Sequence, residues 1–263
     1  MSNWVPILAY HRICETPAAG DPLRLCTRPE DLERVLQYLR KRPYRFISFD
    51  EAVDAIAGER PSAERLVCLT FDDGYEDFYT SAFPLLRAYD VPATVFLVSG
   101  CIDGSNRWDA GYALPPVPMM TQQQVCELAA RGIDFGSHTV SHPRLTRLSA
   151  AEQEREIVDS KRALEGLLGR PVRSFCYPHM DHNEHVRALV RDAGYASACG
   201  GEQAENSRYL LHRLNVSQSG WVSTLFRISG WRYALQRSRR LRSLRHVLLP
   251  EPRPSRDLTE VHQ

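Results

Sequence analysis

Two adjacent carboxylates, Asp72 and Asp73, stand at the end of the apolar run Leu66-Val67-Cys68-Leu69-Thr70-Phe71 and are followed by Gly74. The run is short, partly β-branched and aromatic, and stops at a turn residue, which is the pattern of a buried strand. Acids at such a strand end are costly to bury unless they are paired or bind a cation. A second apolar stretch, beginning at Ile133, leads into Ser137-His138-Thr139-Val140-Ser141-His142. A spacing of four would set both imidazoles on one side of a helical turn. Two imidazoles and a carboxylate from elsewhere make a common divalent-metal site. A third run, Val172 to Cys176, ends in Tyr177-Pro178-His179. Alone, each stretch has an ordinary reading: a polar turn, a pair of surface histidines, a rigid loop. Together, three strand ends carrying acids, histidines and a rigid turn describe one site on one face of an α/β fold.

The rest of the chain reads as the alternating elements that such a site needs. A strand is expected over residues 5–10, with His11 at its C-terminal end. A helix opens at Pro29 behind Thr27 as cap, with Leu32, Val35, Leu36 and Leu39 as its apolar stripe. A strand over 44–49, a short helix from Asp50, the strand ending at Asp72, a helix over 78–89 and a strand over 93–98 follow. Residues 99–120 show no period and read as a long loop containing Trp108. Thr121 caps the next helix, and a charged helix runs from Leu148-Ser149 to Leu168. A helix over 182–193 and strands near 196–199 and 209–216 finish the body. Periodicity alone leaves a barrel and an open doubly wound sheet equally open.

The 263 residues are 43% hydrophobic and 25% charged, ordinary values for a globular protein, and strand–helix alternation favours a single α/β unit. The net charge of +1 hides an asymmetry: residues 1–205 carry −7 and residues 206–263 carry +8. Seven scattered cysteines without a CxxC pair read as reduced, buried thiols. The first residues lack a charged region followed by a long apolar one, so a cytoplasmic location is expected, extending to the inner membrane face.

Thr70-Phe71-Asp72-Asp73-Gly74, then Ser137 to His142, then Phe175-Cys176-Tyr177-Pro178 resemble the successive motifs of the polysaccharide deacetylases, carbohydrate esterase family 4 or NodB-homology enzymes. The resemblance spans residues 4 to 217 in order and spacing. It implies a distorted (β/α) barrel with fewer than eight regular units, over residues 1–219. It also implies that Asp73, His138 and His142 bind a divalent metal, Zn²⁺ first, with Co²⁺, Ni²⁺, Mn²⁺ or Fe²⁺ as alternatives. Asp72 matches the general base. A backbone N–H in Tyr177-Pro178-His179 would face the oxyanion. Trp108 would stack on a sugar ring, or else pin its own loop.

The chain departs from the family pattern in two places. Its third motif reads Tyr177-Pro178-His179-Met180 and lacks an arginine that usually orients the base, for which Arg213 is the candidate replacement. The usual late acid histidine finds only Leu210-Leu211-His212-Arg213, a poor match. The early Leu8-Ala9-Tyr10-His11-Arg12-Ile13 fits better and resembles the circularly permuted exopolysaccharide deacetylases, which makes His11 the general acid and His212 structural. His179, His182 and His185 invite a second-metal reading, but their spacing matches no motif.

The implied activity is metal-dependent removal of the N-acetyl group from an amino sugar in a polysaccharide, oligosaccharide or lipid-linked precursor. The alternatives are a non-sugar amidohydrolase of the same fold, whose members often lose metal ligands, and a carbohydrate-binding pseudoenzyme, which would lose Asp72 or a ligand. Residues 220–263 form a separate basic tail. No acid occurs from Asn206 through Pro250, while nine arginines do. The stretch 222–249 reads as a basic amphipathic helix, either packed on the acidic body or docked on an anionic membrane. Nucleic acid is not expected, since no recognition motif accompanies the charge.

Overall fold

The computed structural model describes residues 4–15, 21–58, 64–112, 115–202, 204 and 207–228. Its centre is β5 (Arg65–Phe71), in which every residue from Leu66 on is buried. That is the expected state of a parallel strand covered on both faces. β1 (Ile7–Tyr10) runs along one side of β5, pairing Ile7 with Cys68 through Tyr10 with Phe71. On the other side β4 (Tyr44–Ile47) covers the first half of β5, and β6 (Thr94–Leu97) pairs with Thr70 and Phe71. The parallel sheet continues through β7 (Asp134–Ser137), β8 (Ser174–Cys176) and β9 (Ser197–Cys199).

The segment after β9 draws the two edges together. Leu211 bridges Cys199, and β10 (Leu214–Asn215) pairs with β1. The result is the distorted (β/α) barrel expected, not an open sheet. Only two residues of the strand expected over 209–216 are regular, because this segment must serve both edges. Gly136 lets the strands approach inside the barrel: a Cβ there would lie 2.5 Å from the Phe96 ring and 2.7 Å from Ser174 Oγ.

Most helices begin where the sequence says. α4 (Gln122–Ala130) opens on a Thr121/Gln124 capping box and α5 (Ala150–Leu168) on a Ser149/Glu152 box. α2 (Phe49–Ala57) has the same device in Ser48 and Glu51, and α6 (Glu184–Asp192) is capped by Asn183. α1 (Pro29–Arg40) buries Leu32, Val35, Leu36 and Leu39 as expected. Its cap position is Arg28, not Thr27. Thr27 instead belongs to β3 (Cys26–Thr27), which pairs with β2 (Arg12–Ile13), and its hydroxyl donates to Ser217 Oγ.

The helix expected over 78–89 begins as a π turn, Phe78–Ala82, before α3 (Phe83–Ala88). Pro84 has no N–H and crowds the carbonyl one turn back, so the bonding widens and Phe83 N–H reaches Phe78 O. The described residues between 99 and 120 are also more ordered than their sequence suggests. Turns at Ser99–Cys101 and Arg107–Tyr112 are tied by bridges from Tyr75 to Met119 and from Ser105 to Pro118.

α7 (Val216–Ile228) crosses the boundary expected at residue 219 and kinks at Gly220. Its described part packs on the body. Trp4 Nε1 donates to Ile228 O, the Arg34 guanidinium lies 5.6 Å from the Trp221 ring, and Arg227 pairs with Glu202. Val222 and Phe226 face outward and are exposed. The greater part of the expected basic helix, 229–249, lies outside the described residues. Among the described residues no helix is long and apolar enough to cross a membrane. All seven cysteines are free; Cys68, Cys101, Cys176 and Cys199 are buried as expected, whereas Cys14 and Cys26 are half-buried and Cys126 is exposed.

Candidate active site

The end of β5 delivers Asp72 and Asp73 side by side, 4% and 3% exposed. The strand stops there because Asp73 (φ 73) and Gly74 (φ 90) both turn left-handed. Gly74 is required twice over, since a Cβ would also sit 2.6 Å from Leu97 Cδ2. The two carboxylates meet different partners. Arg213 forks onto Asp72, with Nη1 to Oδ1 and Nη2 to Oδ2 both at 2.7 Å. The guanidinium is itself fixed by Gly200 O, Thr70 Oγ1 and Cys176 Sγ. Burial alone would push the Asp72 carboxyl up; the charge and hydrogen bonds of Arg213 outweigh it and hold the group below its ordinary value.

Among the described residues no arginine pairs with Asp73. Its Oδ1 lies 3.3 Å from His138 Nε2 and 3.3 Å from His142 Nε2, and is buried without a hydrogen-bond partner. His138 Nδ1 lies 2.7 Å from Cys176 O. A carbonyl can only accept, so Nδ1 carries a proton and Nε2 is the nitrogen turned toward Asp73. One carboxylate oxygen and two imidazole nitrogens, all buried and without thiolate, fit a divalent cation. A ring hydrogen bond to a backbone carbonyl is also the usual outer support of a metal-binding histidine. A second convergent set, Asp72, His138 and Cys176, shares His138. Its carboxylate is already neutralised by Arg213, so the Asp73 set is the one that fits a metal.

The histidines converge by a loop, not by the helical turn their spacing suggested. Thr139 (φ 69) and His142 (φ 63) are both left-handed, and Thr139 Oγ1 accepts from His142 N–H at 3.0 Å. Glu156 on α5 pins this loop. Its carboxylate accepts from Val140 N–H, Ser141 N–H and Ser141 Oγ at 2.8, 2.9 and 2.6 Å. Nothing in its local sequence distinguishes Glu156 from the other acids of that charged helix, so this contact is not legible there.

The remaining candidates surround this pair of aspartates. His11 follows β1, and its Nε2 lies 3.9 Å from Asp72 Oδ2. Asp77 anchors the next residues, accepting from Arg12 Nε at 2.9 Å and Ile13 N–H at 3.0 Å. The His179 ring stands 4.5 Å from that of His142. Burial, with help from His142 and Arg144, lowers its imidazole to about 4. In the third-motif turn, Tyr177 N–H is spent on Cys199 O, Pro178 has none, and Met180 and Asp181 N–H close the turn itself. The His179 N–H is therefore the donor to consider. The Tyr177 side chain is buried, its hydroxyl donating to Tyr209 O. Trp108 lies 4.7 Å from the His142 ring and packs with Tyr75, Val98, Cys101 and Met119, so it pins its loop and also borders the site. His212 packs against Trp4 instead. Among the described residues, neither His182 nor His185 belongs to a metal-competent cluster.

A family model described as polysaccharide deacetylase matches residues 59–198. The chain belongs to the polysaccharide deacetylase family. The match contains Asp72, Asp73, His138 and His142, while His11, just after β1, and Arg213, just before β10, lie outside it. Over 217 residues the chain is 30% identical to YxkH of Bacillus subtilis, whose name places it provisionally among polysaccharide deacetylases, covering 81% of this chain and 71% of that protein. It is 34% identical over 147 residues to the poly-beta-1,6-N-acetyl-D-glucosamine N-deacetylase of Escherichia coli, covering 52% of this chain but only 21% of that enzyme. Among solved structures, the deacetylase PplD of Streptococcus pyogenes superposes with a TM-score of 0.73 at 27% identity, covering 84% of this chain and 96% of PplD. IcaB of Ammonifex degensii, at 21% identity and a TM-score of 0.72, shares the fold over 85% of this chain and 96% of its own.

Proposed function

We propose that this deacetylase hydrolyses the N-acetyl group of an amino sugar in a polysaccharide, oligosaccharide or lipid-linked precursor, releasing acetate, with a divalent metal held by Asp73, His138 and His142. The observation that carries the proposal is the contrast between neighbouring aspartates: Asp72 is locked to a guanidinium while Asp73 Oδ1, bonded to nothing, faces two imidazole nitrogens. The Escherichia coli relative, by its name, acts on an N-acetylated glucosamine polymer. A cation bound there, Zn²⁺ by its donor set, supplies Lewis-acid polarisation of the acetamide carbonyl and a water that is nucleophilic near neutral pH.

The chain's own residues do the rest. Arg213 keeps Asp72 ionised, and Asp72 takes the proton of the attacking water. The His179 N–H donates to the oxygen on which negative charge develops. His11, within 3.9 Å of Asp72, protonates the leaving amine. Trp108 offers a face to the sugar ring beside His142. Acetate release from N-acetylglucosamine oligomers, lost on chelation and restored by Zn²⁺, tests the proposal. Sugar binding without acetate release would favour a pseudoenzyme, and turnover of cyclic imides instead would favour the amidohydrolase reading.

The proposal extends to peripheral contact with an anionic membrane through residues 222–249. Its support is the arginine-rich sequence and the outward Val222 and Phe226. The comparison to make is salt-sensitive sedimentation with anionic vesicles of the full chain against a chain ending at Ile228, which keeps the packed part of α7. Equal sedimentation of the two would contradict it.

A further inference from the structure

Apart from the aspartate site, one pair of reactive side chains stands out. The sulfurs of Cys14 and Cys26 are 2.8 Å apart, under about 1 Å beyond the length of a covalent S–S bond. Both are half-buried, so a small molecule can reach them. The backbone holds them in this position. Arg12 is in register with Cys26, and Cys14 N–H donates to Thr27 O at 3.1 Å. On the other arm, Asp21 accepts from Leu25 N–H and Cys26 N–H at 2.9 and 2.8 Å. Arg12 stands beside the pair and is bound to Asp77.

We propose that Cys14 and Cys26 are a thiol–disulfide exchange site, closed by a small-molecule disulfide of the glutathione type. The Cys14 thiolate attacks one sulfur of the small disulfide, whose S–S bond breaks and releases one thiol after proton uptake. Cys26, losing its proton, then attacks the Cys14 sulfur of the mixed disulfide and expels the second small thiol. Two protein thiols are oxidised and one small disulfide is reduced to two thiols. The order of attack follows from the surroundings: the hydrogen bond to Cys26, aided by the charge of Arg12, holds the Cys14 thiol below its ordinary value, and the same contact pushes Cys26 up. The crosslink joins the residue after β2 to β3, three positions along the chain from His11, and it does so whatever the substrate of the enzyme.

The full chain is incubated with oxidised glutathione, and its peptides are mapped by mass spectrometry without reduction. The expected product is a Cys14–Cys26 crosslink reversed by dithiothreitol, with a melting temperature raised by about 5 °C over the reduced form. Exposed Cys126 serves as an internal control and retains glutathione as a mixed disulfide. Cys26→Ser should trap one glutathione on Cys14. Glutathione on Cys126 with both Cys14 and Cys26 still alkylatable, or stable separate adducts on both, would overturn the proposal.

Discussion

The two halves of the site begin one residue apart and end in opposite surroundings. On one side Asp72 is met by Arg213 from the closing segment of the barrel, and by His11 just after the first strand. On the other, Asp73 is met by His138 and His142 from the loop after β7. The first half is complete as it stands, since a bidentate guanidinium neutralises the buried carboxylate. The second half is not: a carboxylate oxygen faces the nitrogens of two buried imidazoles without a hydrogen bond. The difference teaches that adjacency in sequence says little about role. What separates the proposed base from the proposed metal ligand is which distant segment meets each carboxylate.

Breaking the imidazole side should have the largest effect. Asp73→Asn removes the charged ligand, and acetate release should fall by about a thousandfold or more, together with loss of metal in elemental analysis. A metal-replete, active Asp73→Asn would merge the two halves into one.

Breaking the arginine side should cost stability as well as rate. Arg213→Ala leaves a buried carboxylate unpaired, and denaturant unfolding should show a loss of about 3–5 kcal/mol. The sign of the pH effect follows from the same pair. With Arg213 present the folded Asp72 carboxyl lies below its unfolded value, so its stabilisation is full above the unfolded value and disappears as pH falls through the folded one. Without Arg213 the upward push of burial is opposed only by His138 and His11, and the acid limb of the activity profile should move to higher pH. An unmoved limb would mean that Asp72 is not the base.

His11 sharpens the same half. His11→Ala should keep its metal and fold while turnover falls about a hundredfold, with the alkaline limb most affected. His212→Ala, removing a ring that packs on Trp4, should be mild. The reverse ranking would return the acid to the late strand.

The smallest expected effect lies outside both halves. Glu156→Gln weakens three hydrogen bonds to the loop between the histidines, and metal affinity measured by competition with a chelating dye should drop about tenfold at unchanged melting temperature. Unchanged affinity would leave Glu156 as a loop anchor only.

Much of this arrangement was legible in the sequence, because strand ends and capping boxes are local signals. The run into Asp72-Asp73, the Ser149/Glu152 and Thr121/Gln124 boxes, and the stripe of α1 all appear where their patterns put them. The harder parts are long-range. Arg213, which the resemblance names for orienting the base, does meet Asp72, but no local pattern could tie two residues 141 positions apart. The loop from His138 to His142 has the spacing of a helical turn, yet left-handed residues and a glutamate from α5 shape it. β2 and β3 are two residues each, too short to leave a pattern.

The central claim is the division of labour between the adjacent aspartates, and Asp72→Asn tests it most directly. Metal content and acetate release are measured on the same preparation, beside the unaltered protein. The account predicts about one divalent ion per chain in both, with acetate release lost in Asp72→Asn by a factor of about a hundred to ten thousand. An Asp72→Asn protein that releases acetate normally, or one that loses its metal along with its activity, would contradict it.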